Sequence, residues 1–289
     1  MRDSRFAAMA FRPDARRLAI SAPNGDLTLW DTAAPAYPER AGRLRTRHGI
    51  VAAAWNPAVA DMLATTTSDG TVAVWRLPDD RQPEGIARWA APADRPRFTG
   101  WMAKGRCLFS MDDSGHTAVW DVRTGDRVGQ TNISGGRPVV AAHCRGDDVV
   151  AITGSGWARL WRPRREPGDW IRLTDAAVRA CAWSSTLLGI AAADGQLACY
   201  DADFEPVVGL RIVQERLSAL ACSDGGRIVA SFDDGDVNAV DLDGTLRWET
   251  SVGAGPARSI AVAGDLIAVA GRSAKPTLLA LPNGTSVAA

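Results

Sequence analysis

Residues 68–75 read Ser68-Asp69-Gly70-Thr71-Val72-Ala73-Val74-Trp75, and this stretch decides the fold. Its Asp-Gly pair is typical of a tight turn, because glycine accepts the positive φ that such a turn requires. The two valines then alternate with the residues on either side, which is the period of two expected of a β-strand. The stretch therefore predicts a turn followed by a strand that ends at a tryptophan.

The same stretch recurs along the chain. Five similar copies occupy residues 25–31, 115–121, 156–162, 195–201 and 235–241, and a more degenerate copy occupies residues 276–281. The strand-closing residues stand 39 to 45 positions apart and are Trp30, Trp75, Trp120, Trp161, Tyr200, Val240 and Ala280. A period of about 40–45 residues with Trp-Asp closing a strand is typical of four-stranded propeller blades.

With these copies in register, the chain resembles the WD40-repeat family over nearly its whole length. The later copies drift toward quinoprotein-type propeller repeats, as residues 240–248 show. The resemblance implies an all-β fold, a seven-bladed β-propeller of four-stranded antiparallel blades, which we expect to form one domain over residues 1–289.

Each connector between a third strand and the next inner strand must hold a fourth, outer strand. The candidates are 43–45, 86–89, 127–131, 170–173, 207–211 and 246–250, which are more polar than the inner strands, as edge strands are. For the last blade we expect the segment Thr285–Ala289, after the turn Pro282-Asn283-Gly284, to supply the outer strand. Met1–Arg5 is too short to cross the seam between the last and first blades, so we expect no strand shared there.

Composition limits the classes of partner. The 33 basic and 33 acidic residues cancel, which argues against a general attraction to nucleic acid or to an anionic membrane. Lys104 and Lys275 are the only lysines, an arginine bias that we read as that of a GC-rich, bacterial genome. The five cysteines include no Cys-x-x-Cys pair, and the start of the chain has no apolar signal region, which favours a reducing cytoplasm.

The tryptophans Trp30, Trp75, Trp120 and Trp161 are interpreted as structural residues that fill the space between blades. The WD40 pattern also includes a histidine that bonds to an aspartate, a serine or threonine, and the tryptophan. Only blade two has the parts, namely His48, Thr65, Asp69 and Trp75. Elsewhere arginines stand in this region, and we expect Arg95 to pair with Asp113 and Arg216 with Asp234; separately solvated charges are the alternative.

No catalytic constellation is evident. The histidines His48, His116 and His143 lie in three different repeats, without zinc-ligand spacing, so we expect no metal site, no cofactor and no catalytic residue. Aspartates recur in the turns at positions 26, 69, 113, 194, 234 and 236, and such a ring could bind a metal or act as acid and base. Aspartate is also the ordinary residue for these turns.

Two functions remain open. The first is a non-catalytic scaffold, monomeric within a larger assembly, that binds protein or peptide partners through the loop face. Its candidate contact residues are Arg47, Asp69, Arg95, Asp113, Arg137, Trp157, Asp194, Arg216 and Asp234. The alternative is a propeller enzyme or sensor that holds a small ligand or metal in the central channel.

Trp157 stands out because its column is polar in the other repeats. It is either an exposed hot spot for binding or a side chain that folds over the glycine-rich turn of its own blade.

Overall fold

Seven antiparallel sheets make up the part of the chain that the structure describes. The structure is a computed structural model, and it describes residues 8–21, 25–35, 38–79, 81–92, 96–211, 217–253, 259–271 and 276–287. Six of the sheets have four strands and the seventh has three. The predicted seven-bladed, all-β propeller is confirmed.

The strands follow one another along the chain, and each blade is a meander. Blade one contains β1 (Met9–Phe11), β2 (Arg17–Ser21), β3 (Asp26–Asp31) and β4 (Glu39–Arg45). Blade two contains β5 (Ile50–Trp55), β6 (Met62–Thr67), β7 (Thr71–Arg76) and β8 (Glu84–Ala90). Blade three contains β9 (Pro96–Met102), β10 (Cys107–Asp112), β11 (His116–Asp121) and β12 (Arg127–Asn132). Blade four contains β13 (Val139–Arg145), β14 (Asp148–Thr153), β15 (Trp157–Trp161) and β16 (Ile171–Arg172).

The later blades repeat this order. Blade five contains β17 (Val178–Trp183), β18 (Leu188–Ala192), β19 (Gln196–Tyr200) and β20 (Pro206–Arg211). Blade six contains β21 (Leu217–Cys222), β22 (Ile228–Phe232), β23 (Asp236–Val240) and β24 (Leu246–Ser251). Blade seven contains β25 (Ser259–Ala263), β26 (Leu266–Ala270) and β27 (Thr277–Ala280). Five of the six outer-strand candidates lie within observed outer strands, and the sixth, 170–173, overlaps the two-residue strand β16.

Helix is almost absent from these ranges. The one helical element of the described residues is a 3-10 turn at Ala103–Gly105. No helix among them is both long enough and apolar enough to cross a membrane.

The inner strands form the ring. Each inner strand contacts the inner strand of the next blade, and β25 contacts β1, which closes the ring. Two tryptophans of inner strands strengthen these contacts, because the Nε1 atom of Trp55 donates to the Ala10 carbonyl at 3.0 Å and that of Trp101 to the Ala54 carbonyl at 2.9 Å. Each bond joins one blade to the blade before it.

The core lies between blades. The strand-closing tryptophans pack against the preceding blade: Trp161 with Phe109 and Val119, and Trp75 with Leu27 and Leu29. Trp120 and Trp161 are buried, whereas Trp30 and Trp75 are half-buried. This arrangement is what sheets with two apolar faces require.

The seam between blades seven and one also has an apolar cluster, in which Leu18 and Ile20 meet Ala268 and Leu278. The segment predicted to supply the outer strand of blade seven makes a single antiparallel bridge, from Ser286 to Leu279, and no regular strand is found among its described residues. The Val287 amide donates to the Leu278 carbonyl at 3.0 Å. Met1–Arg5 lies outside the described residues, so the absence of a shared strand stays a prediction.

Candidate partner-binding face

One end of the propeller carries both the turns between second and third strands and the connections between blades. Hydrogen bonds join the two kinds of loop: the Ser68 amide donates to the Gly49 carbonyl at 2.8 Å and the Gly154 amide to the Pro138 carbonyl at 3.0 Å. We call this end the turn face. It carries the described candidates Arg47, Asp69, Asp113, Arg137, Trp157, Asp194 and Asp234. Arg95 and Arg216 lie outside the described residues.

The turn aspartates hold their own turns. The Asp194 carboxylate accepts the Gln196 amide at 3.0 Å, and the Asp234 carboxylate accepts the Asp236 amide at 3.1 Å. Asp69 accepts the Thr67 hydroxyl at 2.5 Å and the Thr71 amide at 3.3 Å. Such contacts are typical of aspartate residues in turns.

Blade three differs from this pattern. Asp113 stands one position earlier than the other turn aspartates relative to the glycine, and Asp112 accepts the amides of Ser114 and His116 at 2.9 Å and 2.8 Å. Asp113 instead lies 3.7 Å from Arg97. The expected partner of Asp113, Arg95, and the expected partner of Asp234, Arg216, are outside the described residues, so neither pair is tested.

The histidine network of blade two is present in two separate halves. The Trp75 Nε1 atom donates to the Thr65 hydroxyl at 2.9 Å. The His48 Nε2 atom lies 3.5 Å from the Asp69 carboxylate, and the His48 side chain is 46% exposed. No hydrogen bond between His48 and Thr65 is found among these described side chains, and open space lies above Trp75.

That space is a cleft of about 620 Å³ between blades one and two. It lies at the turn face beside β7 and β8 and is lined by Thr65, Thr67, Thr71, Ala73, Trp75, Gly85 and Arg88, with residues 45–48 along its edge. We call it the blade-two cleft.

The corresponding place between blades three and four is filled. Arg137, on the connection before β13, lies between two tryptophans, with its guanidinium carbon 5.6 Å from the Trp157 ring centre and 4.4 Å from that of Trp170. Arg172 lies 4.7 Å from the centre of the Trp157 ring, and Arg159 lies 5.0 Å from that of the Trp170 ring. We call these five alternating side chains the Arg–Trp ladder.

Trp157 therefore does not project freely. It is half-buried, as is Trp170, whereas Arg137 is exposed. Arg172 is paired with Asp175 at 2.6 Å, and Arg159 donates to the carbonyls of Gly168 and Ile133 at 2.7 Å and 3.4 Å. Arg137 has no carboxylate within ion-pair distance among the described residues, so its N–H donors remain available.

Trp170 and the partners of Trp157 could not be identified from the repeat. The repeat aligns the third strands, but the ladder also needs a residue from a blade connection and two residues of the outer segment, where the spacing varies. The sequence signal was the single aromatic residue in a polar column.

The described residues contain no group of three or more potential metal ligands. All five cysteines are free thiols, and burial raises the pKa of Cys199 to about 11 and that of Cys181 and Cys222 to about 12. These thiols are therefore protonated near neutral pH and are poor nucleophiles.

Comparison with known proteins adds no assignment: no family model matches the chain, and no curated protein matches it.

Proposed function

We propose that this chain is a non-catalytic, WD40-like scaffold that binds protein or peptide partners through the turn face. The repeat pattern supports the family, and the closed ring supports a rigid platform whose loops can vary without loss of the fold. We propose the partner-binding set as before: Arg47, Asp69, Arg95, Asp113, Arg137, Trp157, Asp194, Arg216 and Asp234.

The observation that carries the proposal is the position of Arg137 between Trp157 and Trp170. Tryptophan and arginine are the residue types that most often dominate the energy of an interface. The ladder holds these side chains in place before a partner arrives, which lowers the entropy lost on binding. The free N–H donors of Arg137 would then give direction to the contact.

A comparison of captured proteins tests the proposal. Wild-type protein and the double variant Trp157→Ala/Arg137→Ala are used as bait in a lysate of the source cells, and the captured proteins are quantified by mass spectrometry. We expect a partner captured by the wild type to be lost from the double variant. Arg123→Ala is the matched control, because Arg123 is exposed in the third-to-fourth-strand turn of blade three, at the opposite end.

An identical set of captured proteins with the wild type and the double variant would contradict the face assignment. Native mass spectrometry of the purified protein distinguishes a scaffold from the alternative, because a bound metal or small molecule would favour an enzyme or sensor. We also propose that the protein resides in a reducing cytoplasm, in keeping with the free thiols. We further propose that it is a monomeric propeller that joins a larger assembly and does not contact nucleic acid or membrane.

A further inference from the structure

The blade-two cleft is open because of a few small side chains. Thr71 stands where blade four has Trp157, and Ala73 stands where blade four has Arg159. Beside Ala73, Arg88 of β8 takes the place that Trp170 takes beside Arg159. The cleft is thus a property of this blade and does not follow from the fold.

The floor of the cleft is apolar. Trp75 is half-buried, and its one polar atom already donates to Thr65. Gly85 lies against the ring, since a Cβ atom built on it would be 3.7 Å from the Trp75 six-membered ring. The absence of a side chain at Gly85 leaves the indole face accessible to an apolar group, which gains from covering it.

The edge of the cleft is basic. Four cationic or ionisable side chains line it, and these are Arg45, Arg47, His48 and Arg88. No described carboxylate lies within ion-pair distance of Arg47 or Arg88, whereas Arg45 lies 3.8 Å from Asp26. Asp69 is the one acidic residue of the lining, and its oxygens are engaged by Thr67, Thr71 and His48. An anionic group at this edge would therefore meet uncompensated positive charge.

We infer that the blade-two cleft binds a short acidic peptide segment of a partner protein, with one apolar side chain over Trp75 and flanking carboxylates on Arg47 and Arg88. The cleft volume lies in the range of sites that accept a side chain and its neighbours. Bidentate pairing of arginine with a carboxylate adds orientation to the charge attraction. This site is distinct from the Arg–Trp ladder, because none of the ladder side chains lines it. It lies on the same turn face, so the inference rests on the proposed function and names a second contact site of that face.

Fluorescence anisotropy with a labelled probe peptide tests this inference. The probe is acetyl-Asp-Glu-Phe-Glu-Asp-amide, and the two comparison peptides replace its acids by the corresponding amides or its phenylalanine by alanine. We expect each replacement to weaken binding by about tenfold or more, and the acidic probe to lose affinity as salt is raised. Equal binding of all three peptides, or no binding of the probe up to about 1 mM, would overturn the inference.

Cleft variants locate the site. Thr71→Trp fills the cleft with a residue that blade four carries at the same place, and we expect it to weaken probe binding by about tenfold or more. Thr71→Val removes the same hydroxyl without filling the cleft, so we expect probe affinity to fall by no more than about threefold. Arg47→Gln and Arg88→Gln should each cost about three- to tenfold, and Arg123→Gln at the opposite end should cost nothing measurable.

The variants also separate this inference from the proposed function. Circular dichroism checks that each variant is folded, and the two arginine variants test the site even if Thr71→Trp is unstable. If the probe is lost with Arg137→Gln but not with Thr71→Trp or Arg88→Gln, the cleft assignment is wrong while the ladder proposal stands. If cleft variants abolish probe binding but the ladder double variant captures the same proteins as the wild type, the cleft assignment stands and the ladder proposal is wrong.

Discussion

Equivalent strands of the repeat form two grooves, one between blades one and two and one between blades three and four. The two grooves differ in the side chains that occupy them. In the first, Thr71, Ala73 and Gly85 leave Trp75 beneath open space. In the second, the Arg–Trp ladder lies beside the turn and Trp161 is buried. The comparison shows that the repeat sets the scaffold, whereas the side chains at a few positions decide whether a groove is a cleft or a packed surface.

The largest expected difference concerns the two groove tryptophans. Trp161 is 2% exposed and packs with Phe109 and Val119, so Trp161→Ala should cost about 3–5 kcal/mol of unfolding free energy. Trp75 is half-buried, and Trp75→Ala should cost about 1–3 kcal/mol. Urea unfolding of both variants measures this, and equal costs would show that the open cleft does not reduce the packing of Trp75.

The turn that positions Trp157 gives the next effect. Gly156 has φ +84°, and a Cβ atom there would collide with the Thr174 carbonyl oxygen, so Gly156→Ala should cost more than about 2 kcal/mol. Gly135→Ala is the control, because Gly135 has φ +59° but no atom within 4 Å of the added carbon. It should cost only about 1 kcal/mol. Thermal unfolding distinguishes the two, and a similar shift in both would rule out the collision.

A double-mutant cycle compares the grooves directly. Arg137→Ala and Trp157→Ala should show a coupling energy of about 0.5–1 kcal/mol, since the two side chains stack. A pair that lines the blade-two cleft, Arg47→Ala and Thr71→Ala, should show none. Chemical unfolding of the seven proteins, with one wild type common to both cycles, gives both values, and coupling in blade two would mean that Arg47 already covers the cleft.

The smallest expected effect is the contribution of Asp69, in blade two, to the pH dependence of stability. Partial burial raises the pKa of Asp69, but hydrogen bonds from Thr67 and Thr71 and the charge of His48 outweigh this, and the net pKa lies below its ordinary 3.8. The resulting stability is present above pH 3.8 and is lost as pH falls through the lower, folded pKa. Asp69→Asn should therefore slightly reduce the loss of unfolding free energy that occurs as the pH falls below 3.8.

Ser155 occupies the place of Asp69 in the turn of blade four and does not titrate. Ser155→Ala should accordingly leave the shape of the stability profile between pH 2 and 7 unchanged, although it can change its height. If Asp69→Asn also leaves the shape unchanged, the hydrogen bonds of Asp69 do not stabilise the turn.

Much of the fold could be predicted from the repeat, because alternation and turn chemistry are local properties. The third strands, their closing tryptophans and the outer strands follow from the spacing of Trp30, Trp75 and Trp120. The ladder could not be predicted in this way, since the place of Trp170 depends on an outer strand of only two residues, Ile171–Arg172. The cleft could not be predicted either, because its open volume depends on side chains from three separate segments, none of which fills it.

The bonds from Trp55 and Trp101 to the neighbouring blade were missed for a related reason. Their positions on inner strands read as ordinary core, and only the closed ring brings each indole to a carbonyl of the preceding blade. Long-range geometry, and not local pattern, determines that contact.

Tryptophan-specific 19F NMR tests the contrast between the two grooves most directly. The protein, with its 11 tryptophans replaced by 5-fluorotryptophan, is titrated with acetyl-Asp-Glu-Phe-Glu-Asp-amide, and the Phe variants of Trp75, Trp157 and Trp170 assign the relevant signals. We predict that the Trp75 signal shifts in a saturable way while those of Trp157 and Trp170 stay in place. A shift of the ladder signals with Trp75 unmoved, or no shift at all, would contradict this account.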